Sequence, residues 1–316
     1  MNDVMLAVDI GGTKTAVALV DSEDVILSRA TRPTPGSAGP GAVVSTVVNL
    51  ATELLDRMPQ AILRGVGIGT AGVVDVRSGS IVSSTDTLAG WAGTPLADAV
   101  RRGMGTRLPV DAIVHVQNDV DAHAAGEIRH GAALGADSVL VVAVGTGVGA
   151  GVILGGRALR GARHVAGEIA HVPTPGAEHL TCTCGRSGHL EAIGSGLGLY
   201  RHYLWLGGDP AETDARGVAG RAATGDVLAA RAVRDSAAAV GRAIAAVVTV
   251  LDPERVVITG SVPTIGDAWW SAMDAAFRAE VIDALQGVPL LAGTLGGDAP
   301  LRGAAASAWS ALRGKS

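Results

Sequence analysis

Residues 4–21 read VMLAVDIGGTKTAVALVD. Two apolar runs, 4–10 and 15–21, flank the turn Gly11-Gly12-Thr13-Lys14. Val-rich runs of this length, bounded by Gly and charged residues, predict two successive strands. VILSRA at 25–30 predicts a third. A strand after the glycines excludes the dinucleotide fingerprint, in which GxGxxG opens a helix. P-loop spacing is absent too. The turn suits a metal–phosphate site. Asp9, ending its strand, is placed to hold Mg²⁺ directly or through water. Gly11, Gly12 and Thr13 bare backbone N–H groups to phosphate oxygens, and Lys14 adds a point charge. The plain alternative is an ordinary hairpin turn, because short Gly motifs are common.

Working outward, Val43, Val47, Leu50, Leu54 and Leu55 fall at helical spacing and predict a helix over 40–58. The stretch before it, RPTPGSAGPG at 32–41, reads as a surface loop. GVGIGTAG (65–72) is a strand entering a glycine turn, and PLADAVRRGMG (95–105) a helix with a glycine stop. AIVHVQND (112–119) is a strand that delivers polar residues, and VDAHAAGEIRHGA (120–132) a helix. The pattern then restarts. SVLVVAVGTGVGAGVILGGRAL (138–159) reads as a hairpin with a Gly-rich bend, followed by helices near 191–204 and 226–251. RVVITGSV (255–262) is a strand; a helix near 266–282 precedes LLAGTLGG (290–297) and a last helix, APLRGAAASAWSALRG (299–314). A strand–strand–strand–helix–strand block thus occurs twice. The expectation is an α/β protein of two lobes with mixed sheets and a cleft between them. We place a small lobe at 1–116, joined by the C-terminal helix 303–316, and a large lobe at 117–302.

Composition agrees. The chain has 316 residues, 48% hydrophobic and 17% charged, which is globular and not disordered. Its 45 glycines with 3% aromatics fit tight strand–turn–helix junctions. A net charge of −5 and the lack of any Lys/Arg block argue against a nucleic-acid partner. The start, MNDVMLAVDIGGTK, lacks a basic segment followed by an apolar one, so no signal peptide is expected. The apolar run AAAVGRAIAAVVTVLDP (237–253) is interrupted by Arg242 and reads as a buried helix, with no membrane association. The cytoplasm is the expected location.

Three further stretches carry chemistry. AVGTGVGAG (143–151) is a second Gly/Thr bend at a strand end. Gly145, Thr146 and Gly147 can form a second phosphate loop, or merely a close-packed hairpin bend. In QNDVDAH (117–123), Asn118 or Asp119 can cap the following helix. Capping explains one of the two, and Asp119 at the helix head suits a general base taking a proton from a hydroxyl. The third stretch is GEIAHVPTPGAEHLTCTCGRSGHLE (167–191), which holds both cysteines of the chain. Cys182 and Cys184 are too close in sequence for an ordinary disulfide. With His171 and His189 they make a tetrahedral His₂Cys₂ zinc set; His164 and His179 are spare ligands. Four protein ligands leave no open position, so such a zinc is structural and a zinc hydrolase is excluded. Glu168 and Glu191 flank this segment, where a metal clip would orient them toward a polyol.

Together DIGGTK, GVGIGTAGVVD, WAGTPL, QNDVDAHAAGE, VAVGTGVGAGV, GEIAHV, CTCGRSGHLE, VVITGSV and LRGAAASA, in this order, resemble the ROK sugar kinases. That family lies in the actin/hexokinase-like (ribonuclease H-like) ATPase superfamily. The Glu-x-x-His and Cys-x-Cys-Gly-x-x-Gly pieces are the specific ones. The resemblance implies ATP- and Mg²⁺-dependent phosphorylation of a hexose, usually at the 6-hydroxyl, with a structural Zn²⁺ and a homodimer or higher homo-oligomer. It makes Asp119 the catalytic base and Asn118 a sugar contact. Glu168, His171 and Glu191 become sugar-hydroxyl ligands, with His171 also on zinc, and Gly72 lies where backbone meets sugar. Asp9, Gly12, Thr13 and Lys14 match the first phosphate motif, Thr146 and Gly147 the second, and Gly260 and Ser261 the adenosine loop. The pattern departs at three places: His189 stands for a frequent Cys, Ala170 for Gly, and Thr87, after Asp86, for a sugar-side Asn. The last points to amino-sugars such as N-acetylmannosamine as alternative substrates. A non-catalytic sugar sensor is the rival of a different class. The family's repressors carry a preceding helix-turn-helix, which is not expected here.

Overall fold

The computed structural model describes residues 3–85 and 87–314. The chain opens with strands β1 (Asp3–Ile10), β2 (Lys14–Asp21) and β3 (Ile26–Pro33), helix α1 (Pro40–Arg57) and strand β4 (Ile62–Thr70). A short hairpin, β5 (Val73–Asp75) and β6 (Ser80–Ser83), precedes helix α2 (Leu96–Met104), strand β7 (Ile113–Asn118) and helix α3 (Asp119–His130). Next come β8 (Val139–Val144), β9 (Val148–Leu154) and β10 (Arg157–Ala158), then α4 (Leu190–Gly194), α5 (Gly196–Trp205), α6 (Ala215–Ala223) and α7 (Val227–Leu251). Strand β11 (Arg255–Thr259), helix α8 (Asp267–Glu280), strand β12 (Leu290–Ala292) and helix α9 (Ala299–Arg313) close it.

Two compact units result: residues 1–135, 160–166 and 294–316, and residues 136–159 and 167–293. The sheet of unit 1 runs β3-β2-β1-β4-β7, antiparallel across β3, β2 and β1 and parallel across β1, β4 and β7. Both faces of β1 are buried, which is why it reads as one unbroken apolar run. Val4, Leu6, Val8 and Ile10 join Val43 and Val47 of α1 and Leu96 and Val100 of α2. Met5 and Ala7 join Leu301, Ala305 and Trp309 of α9. Each fully buried Leu or Ile contributes roughly 1.5–3 kcal/mol.

The face toward α9 is built from small residues because the helices there come very close. A Cβ on Gly67 would run into the Ala304 carbonyl, one on Gly126 into the Ala299 carbonyl, and one on Gly303 into the Ala122 carbonyl. This packing of α3 on α9 corrects the expected division at residue 116. Residues 117–135 and 294–302 group with unit 1, as does a short segment, 160–166, and the last helix starts at Ala299, as the 299–314 stretch predicts, so the segment that joins unit 1 is longer than 303–316.

Unit 2 has the sheet β10-β9-β8-β11-β12, parallel across β8, β11 and β12. Its core gathers Leu140, Val142 and Val144 of β8 with Ala237, Val240 and Ile244 of α7 and Trp269, Met273 and Phe277 of α8. Helix α7 is capped by Asp226, which accepts from the N–H groups of Leu228 and Ala229, and ends at Asp252 in the left-handed region. No helix among the described residues is long and apolar enough to cross a membrane. The helix expected over 191–204 is broken. Ser195 leaves the helical conformation and caps α5, its hydroxyl accepting from Gly198 N at 2.9 Å. Helix α6, with four Ala, two Gly and two Arg in nine residues, gave no apolar stripe to predict it.

Candidate active site

In unit 1 the strand register gathers the candidates at one edge. Ile10 of β1 pairs with Thr70 of β4, which pairs with Asn118 of β7. Asp9, the turn 11–14, Gly72, Asn118 and Asp119 therefore all lie at the carboxyl ends of parallel strands, where α/β sheets bind ligands. The Gly11–Lys14 turn is closed by Gly11 N to Lys14 O at 3.0 Å. Thr34, which carries no sequence motif, braces it: its hydroxyl donates to Gly11 O at 2.8 Å and its N–H to Thr13 O at 3.0 Å. A Cβ on Gly12 would meet the Thr87 methyl, so Thr87, one of the three departures from the pattern, lies against the Gly11–Lys14 turn. Asp86 lies outside the described residues.

Asn118 is the helix cap. Its Oδ1 accepts from Val120 N at 2.8 Å, and its Nδ2 donates to Gly72 O at 3.1 Å. Gly72 sits at φ +99°, a conformation that favours glycine. Capping is thus assigned to Asn118 and leaves Asp119 as the first residue of α3, its Oδ1 accepting from Val120 N at 2.9 Å. Asp119 is partly exposed but hemmed in by protein. Loss of surrounding water pushes its carboxyl above the ordinary carboxylate range, and the Val120 N–H pulls the other way. Asp9 is pushed up to about 7 by burial and then by the Asp119 charge, against the pull of Lys14. The Asp119 charge thus disfavours ionisation of Asp9, an effect that a nearby cation would offset.

Sequence reasoning missed the support behind this edge. Arg160 pairs with Asp121 of α3 and donates to Gln117 Oε1 of β7 at 2.9 Å. Gln117 in turn donates to Ser307 Oγ of α9 at 3.1 Å. Contacts between residues this far apart in the chain leave no local signal. Two neighbouring histidines are held neutral. Burial, then the Arg160 charge, push His115 down to about 4, and burial does the same to His123.

In unit 2, Ala143 of β8 pairs with Thr259 of β11, so the Gly145–Gly147 bend and the Gly260–Ser261 turn leave neighbouring parallel strands side by side. The bend closes through Gly145 N to Gly147 O at 2.8 Å, and Gly196 N donates to Gly145 O at 2.7 Å. Gly260 has φ +104°, and a Cβ there would strike the Val144 backbone. Gly145, Thr146 and Ser261 line a cavity of about 480 Å³ together with Gly196, Tyr200, Asp214 and Arg216. The last three went unnoticed in the sequence because they come from helices α5 and α6 and the loop before α6. Gly147 and Gly260 shape the loops without lining the cavity.

The 167–191 segment folds as a knuckle. Cys182 N donates to Arg186 O at 2.8 Å and Gly185 N to Cys182 O at 2.9 Å, with Gly185 at φ +84° and Gly188 at φ +78°. His171, Cys182, Cys184 and His189 converge, their ligand atoms all within 4.8 Å of one another. Cys182 Sγ is 3.7 Å from His171 Nδ1, and Cys184 Sγ 3.2 Å from His189 Nδ1. Around tetrahedral zinc, such atoms lie about 3.3–3.8 Å apart. The four residues fit that metal. His171 turns its other nitrogen, Nε2, toward Glu168 Oε2 at 3.7 Å, too long for a hydrogen bond. The spare histidines are occupied elsewhere. His179 Nε2 meets His202 Nδ1 at 3.2 Å and its ring packs at a tilt against Trp205, and His164 Nε2 lies 3.5 Å from Asp75. Glu191 reaches out of the knuckle: Thr183 donates to its Oε1, and its Oε2 accepts from Val148 N at 3.2 Å. Ala170, where the resemblance has Gly, buries its methyl in the unit 2 core.

The family model of the ROK family matches residues 5–310. The chain belongs to the ROK family. Its fold is the actin/hexokinase-like ATPase fold. Among ROK relatives, the glucokinase of Halalkalibacterium halodurans is 31% identical, covering 94% of this chain and 92% of its own. The N-acetylmannosamine kinase of Shigella flexneri is 36% identical, covering 82% of this chain and 83% of its own. The structure of a ROK family glucokinase from Streptomyces griseus in complex with glucose and AMPPNP superposes with a TM-score of 0.81 at 30% identity, over 97% of this chain and 99% of the other.

Proposed function

We propose that this ROK protein is an ATP-dependent sugar kinase that transfers the γ-phosphoryl group to a hexose hydroxyl, the 6-hydroxyl of glucose or a related hexose. The observation that carries the reading is Asp119: a carboxylate heading α3 at the carboxyl edge of parallel strands, beside the Gly72–Asn118 contact and within electrostatic reach of Asp9. Asp119 takes the proton from the attacking hydroxyl. Asn118, Gly72, Glu168, His171 and Glu191 position the sugar. The N–H groups of Gly11–Lys14 and Gly145–Gly147 receive phosphate oxygens, and Gly260 and Ser261 border the adenosine. Mg²⁺ held at Asp9 would neutralise charge on the transferring phosphates. Zn²⁺ held by His171, Cys182, Cys184 and His189 would brace the sugar-binding carboxylates without acting on the bond that breaks. A cytoplasmic location and a homo-oligomer belong to the same reading.

The second substrate reading is N-acetylmannosamine or another amino-sugar, favoured by the Shigella relative. ADP release with ATP–Mg²⁺ and a panel of hexoses and N-acyl hexoses decides between them. One strongly preferred sugar names the substrate. No sugar-dependent release from folded, zinc-loaded protein would sink the kinase reading and favour a sugar sensor.

A further inference from the structure

Arg160 stands where the chain changes allegiance. Leu159 belongs to unit 2 and donates to Val152 O in its sheet; Gly167 belongs to unit 2 and accepts from Ala150 N. The seven residues between them belong to unit 1. Two side chains pin them there. His164, held at φ +61°, approaches Asp75, and Arg160 pairs with Asp121 and Gln117. Gln117 and Asp121 bracket the Asn118–Asp119 pair in sequence, one at the end of β7 and the other in the first turn of α3. Gln117 is 1% exposed and the Asp121 side chain 10%, so both acceptors of Arg160 are largely buried.

We propose that Arg160 is a positioning residue for the phosphoryl transfer, gripping Gln117 and Asp121 so that the strand-to-helix corner fixes where the Asp119 carboxylate points; this rests on the kinase reading above. A guanidinium suits the task, because its planar fork holds two donors in fixed directions toward two acceptors, whereas an ammonium offers freely rotating donors on one atom. The direct alternative, an electrostatic effect of Arg160 on Asp119 itself, lacks support: the charge of Arg160 bears on His115, whereas the Asp119 carboxyl answers to burial and its own helix N–H groups. The same grip holds the segment that leads into Glu168, so sequence order alone joins the proposed base and a proposed sugar ligand through Arg160.

The test compares Arg160→Met, Arg160→Lys, Asp121→Asn and the Arg160→Met/Asp121→Asn double variant with wild type. Readouts are sugar-dependent ADP release, sugar phosphate formed per ADP, and melting temperature. A misaimed base lowers kcat about tenfold with both KM values nearly unchanged, and ADP release exceeds sugar phosphate formed. The double variant is no slower than the slower single variant, because both break one contact. Arg160→Lys recovers only part of the loss. Wild-type kcat in Arg160→Met, a loss confined to KM, or additive losses in the double variant overturns the proposal. If Arg160→Met does not fold, Asp121→Asn decides alone, and wild-type kcat there overturns it. Wild-type protein without any sugar-dependent release overturns the kinase reading and this proposal together, an outcome distinct from the others.

Discussion

The two glycine turns read alike in sequence and are built by opposite means. The Gly11–Lys14 turn is surrounded by charge: Asp9 at its entry, Lys14 at its exit, and Asp119 close enough to raise the Asp9 carboxyl. Its brace is one neutral residue, Thr34, through its hydroxyl and its N–H. The Gly145–Gly147 bend carries no charge of its own. It is propped from outside by Gly196 N on Gly145 O and by Glu191, whose Oε2 takes Val148 N and would lie 2.7 Å from a Cβ on Gly147. Glu191 is in turn held by Thr183, the residue between the two cysteines. One turn supplies electrostatics and the other supplies shape, and the shape leans on the His/Cys knuckle.

The comparison breaks most sharply at Asp119. Asp119→Asn keeps the size and the helix N–H contact but cannot accept the proton, so kcat should fall about 10²–10⁴-fold while nucleotide binding by calorimetry persists. Near wild-type turnover would remove charge chemistry from the unit 1 edge. Next in size is Cys184→Ser. Losing a thiolate should lower zinc affinity by at least about tenfold and weaken sugar binding with it. Full zinc by elemental analysis would dismiss the ligand set.

Acid provides a test confined to unit 1. His115 and His123 are pushed from 6.5 to about 4 by burial. Between those values the unfolded chain binds protons that the folded chain does not, so the stability is present above pH 6.5 and is lost as pH falls toward 4. The effect is on the order of 2 kcal/mol per histidine. Melting curves of His123→Gln should show a shallower acid decline than wild type; an identical slope would place the loss elsewhere. The smallest effect sharpens the unit 2 side. Thr183→Val removes a single exposed hydrogen bond, and nucleotide affinity measured without sugar should fall about two- to fivefold, with Thr183→Ser near wild type. No change would show that the knuckle does not reach the Gly145–Gly147 bend.

Much of this was legible from sequence because the elements advertise themselves. A strand buried on both faces, as β1 is, spells an uninterrupted apolar word. Glycines at left-handed positions, such as Gly72, Gly185 and Gly260, mark turns that few other residues can take. The convergence of His171, Cys182, Cys184 and His189 was readable because metal chemistry allows few residue types. What escaped was pairing at a distance: Thr34 on Gly11, Arg160 on Asp121, Thr183 on Glu191. Each uses common polar residues whose partners are set only by the folded path. The boundary near residue 116 failed for the same reason, since the fit of α3 on α9 lies in matched small residues, Gly126 with Ala299 and Ala122 with Gly303, that look unremarkable separately.

That last fit has a consequence in time. Helix α9 follows every residue of unit 2 in the chain, yet it forms the floor beneath β1, β4 and α3. During synthesis, unit 2 leaves the ribosome with all its parts, whereas unit 1 waits for the final helix before its sheet is covered on both sides. The corner carrying Asp119 therefore lacks the helix that backs α3 until residues 299–313 have been made.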